Sequence, residues 1–141
     1  MASQRSFTVF GEPVEVLVTG DMTGGASATL THLSPPGGGV PPHLHQNEDE
    51  TFFVLEGEYE FLVNGEWVRR SSGDTLHAVR GSLHGFRNAG STDGKLLVFV
   101  APAGLENFLE EISTVSMPQE APRLVAVADR YGISFAPPPN A

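Results

Sequence analysis

Glycine and proline interrupt this chain so often that long helices are excluded from most of it. There are 16 glycines and 11 prolines among 141 residues, about a fifth of the chain and above average usage. They separate short apolar runs, which predicts many short strands joined by tight turns. The segment at 35–42 (PPGGGVPP) is the densest interruption. It reads as neither helix nor central strand, and it delivers the chain in a restrained conformation to His43-Leu-His45.

Residues 7–19 read as strand, turn and strand around Gly11-Glu-Pro13, with a loop at 19–25 and a strand at 27–33. A strand follows from Glu50 to Gly57. Two more, at 59–63 and 66–69, flank Asn64-Gly65, the strongest short hairpin signal. Further strands are expected at 73–79, 84–88 and 96–100. Past Pro102, Leu105, Phe108, Leu109 and Ile112 recur at helical spacing. A second helix at 122–131 opens on proline and stops at Gly132, and the tail at 136–141 reads as extended. The expected fold is all-β in one domain spanning 1–141. About ten strands form a closed or two-sheet barrel at 7–102, and a C-terminal helical segment covers 103–141.

The net charge is −9 with no basic run, which argues against a nucleic-acid partner. Apolar runs such as 95–101 (KLLVFVA) are strand-length, so no membrane span is expected. The start, MASQRSF, has no apolar signal-peptide region. With no cysteine there is no disulfide or thiolate ligand. A soluble, cytoplasmic protein is the expectation.

His43 and His45, two apart, share one face of a strand. Glu50 lies beyond the polar turn at 46–49, and His84 opens a later strand after a second glycine turn. Three imidazoles and a carboxylate suit a divalent first-row metal better than Mg²⁺ or Ca²⁺, which prefer oxygen donors. A His-x-His pair alone carries little weight. Ligand count alone does not separate an open catalytic site from a closed structural zinc site.

The surrounding spacing adds to this. Gly37, five residues, His43-Leu-His45, four residues, Glu50, six residues and Gly57 resemble the first motif of the cupin superfamily. Gly73, seven residues, Gly81, two residues, His84, three residues and Asn88 resemble the second. One departure is Val79, where the cupin pattern has proline. The resemblance implies a double-stranded β-helix, or jelly-roll barrel. It implies one divalent transition metal per chain (iron, manganese, nickel, cobalt or zinc) on His43, His45, Glu50 and His84. Two coordination positions would stay open to water or substrate. Separately, a Glu50 displaced from the metal in an apolar barrel has a raised proton affinity, which makes it a candidate catalytic base.

If Glu50 points inward, so do Phe52 and Val54; if His84 does, so do Phe86 and Asn88. Tyr59, Phe61 and Val63 form an alternating set whose face is undetermined. Such a barrel suits an aromatic or polyketide-like small molecule. His32 is a further pocket candidate, and His77 a weaker one. Glu106, Glu110 and Glu111 read as the solvated face of a helix.

The order of barrel and helical tail is similar to small quercetinase-like (quercetin dioxygenase-like) monocupins, which implies that Leu105, Phe108 and Leu109 cover the pocket. The expected function is a metal-dependent dioxygenase acting on a small phenolic or enol-bearing aromatic substrate. Alternatives are a non-redox polyketide cyclase or isomerase, and a non-enzymatic ligand-binding cupin. A homodimer is expected, through edge strands at 7–10 or 14–18.

Overall fold

Two-residue turns set the first hairpins in this computed structural model, which describes residues 3–136. β1 (Arg5–Val9) and β2 (Glu12–Val18) turn at Phe10-Gly11, and β6 (Glu58–Val63) and β7 (Glu66–Ser71) at Asn64-Gly65. Both turns have positive φ at both positions (49° and 84°, 51° and 79°), so the turn twist matches that of the flanking strands. The first turn lies one residue earlier than the sequence suggests. Glu12 and Pro13 therefore belong to β2.

The remaining strands are β3 (Ala28–Ser34), β4 (Gly39–His45), β5 (Asp49–Glu56), β8 (Thr75–Ala78), β9 (Leu83–Asn88), β10 (Gly94–Ala101) and β11 (Ile133–Phe135). They form two antiparallel sheets, ordered β1-β2-β3-β10-β5-β8 and β11-β4-β9-β6-β7. The architecture is the expected all-β double-stranded β-helix. Burial alternates along β5, β8 and β10, turning Phe52, Val54, Leu76, Ala78, Leu96, Val98 and Val100 inward. Tyr59 and Phe61 also face the core, at 0% and 1% exposure.

The proline-rich segment corrects the expectation of a non-strand. β4 runs through Pro41 and Pro42 and lies between β9 and β11. The β4–β9 register shifts between Val40 and His43, so the two residues without N–H groups fall where the ladder is already broken. On the other side, β11 pairs only with His43–His45. At Gly39, φ is 145° and a Cβ would lie 2.1 Å from the Phe86 carbonyl oxygen. Only glycine allows that approach.

Two helices follow the barrel, α1 (Leu105–Ile112) and α2 (Ala121–Arg130). The acidic face of α1 is not uniformly solvated. Glu110 pairs with Arg5 at 2.8 Å and Glu111 with Arg130, but Glu106 is 1% exposed. Its carboxylate accepts the Gly20 N–H (2.9 Å) and the Gly104 N–H (2.7 Å), tying α1 to the loop after β2. Glu106→Leu should cost about 2 kcal/mol, because two N–H groups lose their acceptor. Denaturant unfolding with an unchanged midpoint would contradict this role.

Among the described residues β1 is an edge of its sheet, whereas β2 lies between β1 and β3, so 14–18 is not available for pairing. No helix among the described residues is long and apolar enough to cross a membrane. Of the expected extended tail, 137–141 lies outside the described residues; Ala136 N–H donates to Pro42 O at 3.0 Å.

Candidate metal centre and its cavity

The strand pairing brings the four proposed ligands together. His43 and His84 are direct cross-strand partners on β4 and β9. His45 is two residues further along β4, and Glu50 opens the inward face of β5. Their donor atoms lie within 4.8 Å of one another, and all four residues are buried.

Hydrogen bonds fix each imidazole from behind. His43 Nδ1–H donates to Pro41 O at 2.8 Å, and His84 Nδ1–H to Ser82 O at 3.2 Å. His45 Nδ1–H donates to Glu48 Oε2 at 3.2 Å. The tautomers follow from these acceptors, and they leave the Nε2 atoms to bind, as metal-ligating histidines require. Glu50 Oε1 lies 2.8 Å from His45 Nε2 and 3.1 Å from His84 Nε2. An ion roughly 2.1 Å from each donor would space neighbouring donors at about this separation. The donor set of three imidazoles and one carboxylate fits a divalent first-row transition metal. The break at Pro41–Pro42 thus has a use, since it presents the Pro41 carbonyl to His43.

Charge balance in the cluster is consistent with a cation site. Burial lowers His43 to about 3, with further lowering from His84 and His45. Burial also opposes a charge on His45, but Glu50 and Glu48 outweigh it and raise His45 to about 9. Burial likewise opposes the Glu50 carboxylate, yet His45 and His84 hold it well below the usual range. A divalent ion would therefore compete with the proton that Glu50 and Glu48 favour on His45. Metal affinity should rise about tenfold per pH unit from pH 7 and level off near pH 9. Titrations at pH 7, 8 and 9 that gave one flat affinity would contradict this.

Three of the four, His43, His45 and Glu50, line a cavity of about 920 Å³. Phe52, Phe86, Leu30, Val98 and Ile133 form much of its wall, and Leu105, Phe108, Leu109 and Ile112 of α1 also line it. Phe10, Trp67 and Met117 line it while remaining 50%, 37% and 44% exposed, which places them at its mouth. The Arg87 guanidinium stacks 4.0 Å over Trp67 there.

His32 lines the cavity, paired with Glu12. Val54 and Asn88 are buried but do not line it. Asn88 instead holds a turn: its side-chain amide donates to Ser34 O and Thr92 O and accepts the Gly90 N–H. His77 faces outward beside Thr51. At Val79, the missing proline is replaced by a turn closed by Ser82 N–H to Val79 O, 3.1 Å. Glu12 and Glu48 are the buried carboxylates that the sequence reading passed over. Strand parity pointed to Glu12, since Val14 and Val16 on the same strand are core.

A barrel of this topology, with three imidazoles and a carboxylate converging inside it, defines the double-stranded β-helix class with a potential metal centre. The chain belongs to the cupin superfamily: the family model "Cupin domain" matches residues 31–100. It is similar to the tetracenomycin polyketide synthase protein TcmJ of Streptomyces glaucescens, at 29% identity over 79% of this chain and 75% of that protein. It is also similar to quercetin 2,3-dioxygenase of Bacillus subtilis, at 29% identity over 46% of this chain but only 19% of that enzyme. The crystal structure of a predicted oxalate decarboxylase from Thermotoga maritima superposes with a TM-score of 0.61 and 27% identity. That match covers 72% of this chain and 99% of the other.

Proposed function

We propose that this protein is a metal-dependent dioxygenase acting on a small phenolic or enol-bearing aromatic substrate. One observation supports it most: His43, His45 and Glu50 of a buried cluster of three imidazoles and a carboxylate form part of the wall of a large, mainly apolar cavity. A closed structural metal site has no use for such a cavity. His43, His45, Glu50 and His84 would hold the ion. When bound, a redox-active divalent ion would polarise a substrate oxygen and permit reaction with O₂. Phe52 and Phe86 offer ring faces to an aromatic substrate, while Leu105, Phe108 and Leu109 exclude water from it. Glu50 Oε1 faces His45 and His84, which hold the carboxylate ionised; displaced from them by the substrate, Glu50 would regain the proton affinity of a buried carboxylate and take the substrate's hydroxyl proton.

The test is oxygen uptake with a flavonol such as quercetin, using protein loaded in turn with iron, manganese, nickel and cobalt. Uptake matched to loss of the flavonol chromophore is expected with at least one metal. No uptake with any of them would overturn the dioxygenase reading. The likeness to a polyketide synthase protein over most of the chain favours a second reading, a zinc-dependent cyclase or isomerase acting without O₂. We place the protein in the cytoplasm as a homodimer paired through the edge strand β1.

A further inference from the structure

The cavity holds a second polar group, away from the metal cluster, that the proposed chemistry does not use. Glu12 of β2 and His32 of β3 both line it, at 8% and 5% exposure. Glu12 Oε1 lies 2.7 Å from His32 Nε2, and its Oε2 accepts the Gly39 N–H at 3.0 Å. Both carboxylate oxygens thus face N–H donors, which places the shared hydrogen on His32 Nε2.

In the neutral ring, that assignment leaves His32 Nδ1 with a lone pair. Nδ1 has no partner among the described residues, and it is not one of the sealed unpaired side-chain atoms, which are Arg5 Nε, Ser34 Oγ and Tyr59 Oη. His32 lines the cavity, and Nδ1 is the ring atom left to meet a ligand there. A buried polar pair in an apolar wall costs stability relative to two aliphatic side chains, so a pair kept in a cavity wall points to a ligand.

Phe86 lies between the two polar groups on the cavity wall. It stacks edge-on to His32, with ring centroids 5.3 Å apart, and it lies two residues from His84 on β9, roughly 7 Å along a strand. Phe52 bridges the same gap, 6.1 Å from His84 and 5.7 Å from Phe86. A two-ring aromatic molecule is the probe suited to that spacing.

We propose that Glu12 and His32 form a second binding station, at which His32 Nδ1 accepts a hydrogen bond from a hydroxyl at the end of an aromatic ligand remote from the metal cluster. The inference rests on the reading that the cavity takes a hydroxylated aromatic, but it requires neither oxygen chemistry nor cyclisation. His32 touches the ligand, and Glu12 positions it by fixing the tautomer. The station selects a donor group: a hydroxyl satisfies Nδ1, whereas an ether leaves it unpaired.

The test uses two probes, 2,3,6-trihydroxynaphthalene and its 6-methoxy ether. Their shared catechol end suits the metal cluster and their far group differs. Affinity is read with zinc-loaded protein under argon by quenching of Trp67, the chain's one tryptophan, which lines the cavity mouth. The wild type should bind the triol at least about tenfold more tightly than the ether.

Two variants locate the preference. In Glu12→Gln the amide keeps an acceptor for Gly39 N–H and turns its NH₂ toward His32, which moves the ring proton to Nδ1. The ether oxygen then finds a donor, and the ratio of affinities should fall to about twofold or less. In Glu12→Gln with His32→Phe no buried charge is stranded and the ether leaves no lone pair unpaired, so the ratio should again fall to about twofold or less. Equal affinities in the wild type, a preference that survives in both variants, or failure of both probes to bind would overturn the station. Selective binding without oxygen uptake would refute the dioxygenase and leave the station standing. Uptake without selectivity would do the reverse.

Discussion

Glu50→Gln is expected to lower kcat by about 10²–10⁴-fold, the usual worth of a positioned proton acceptor. The amide keeps the shape of the carboxylate, and its oxygen can still face His45 Nε2 and His84 Nε2, now 2.8 and 3.1 Å from Glu50 Oε1. What it loses is charge and the ability to take a proton. The cluster has no other carboxylate that lines the cavity: Glu48 is turned to the far side of the His45 ring, against Nδ1. Turnover measured on variant protein whose metal content has been confirmed separates loss of chemistry from loss of metal. Full activity in that protein would remove the base role from Glu50.

His45→Ala is expected to weaken metal binding by two orders of magnitude or more. Four-ligand sites bind with about 10–16 kcal/mol, so one ligand carries roughly 3 kcal/mol. The deletion also orphans Glu48, a 5% exposed carboxylate whose side-chain partner is His45, and a buried charge without a partner is costly. Glu48→Gln offers a graded comparison. It keeps the ligand but weakens the group that orients it, a change worth about 10–100-fold. Competition against a metal chelator reports both variants on one scale. Equal effects would mean that His45 contributes only through its environment. No effect from His45→Ala would remove it from the ligand set.

How much of this was legible in the sequence depends on the range of the interaction concerned. The helix at Leu105–Ile112 and the Asn64-Gly65 hairpin are local patterns, and they appear where periodicity and turn chemistry put them. The four-residue cluster was legible because motif spacing carries it, although its closure depends on three strands. β11 was not legible. Three residues after Gly132 hold no periodicity, and their partner is a strand containing two prolines, which local rules reject.

Strand parity told which face a residue takes but not its height in the barrel. Phe52 and Val54 both point inward, yet only Phe52 reaches the cavity. Glu12, Glu48 and Glu106 were lost for a different reason. Composition assigns glutamate to the surface, and only the fold reveals the N–H donors that make their burial tolerable. Glu12 was within reach of parity, since it continues the inward set of Val14 and Val16.

The central claim is that His43, His45, Glu50 and His84 hold one metal ion, and elemental mass spectrometry on untagged protein tests it most directly, with His84→Ala as the control. The account predicts about one divalent transition metal per chain in the wild type, after purification or after reconstitution, and its loss in the variant. No metal in either protein, even after reconstitution, would contradict it and leave a barrel that binds a small ligand by shape and hydrogen bonds alone.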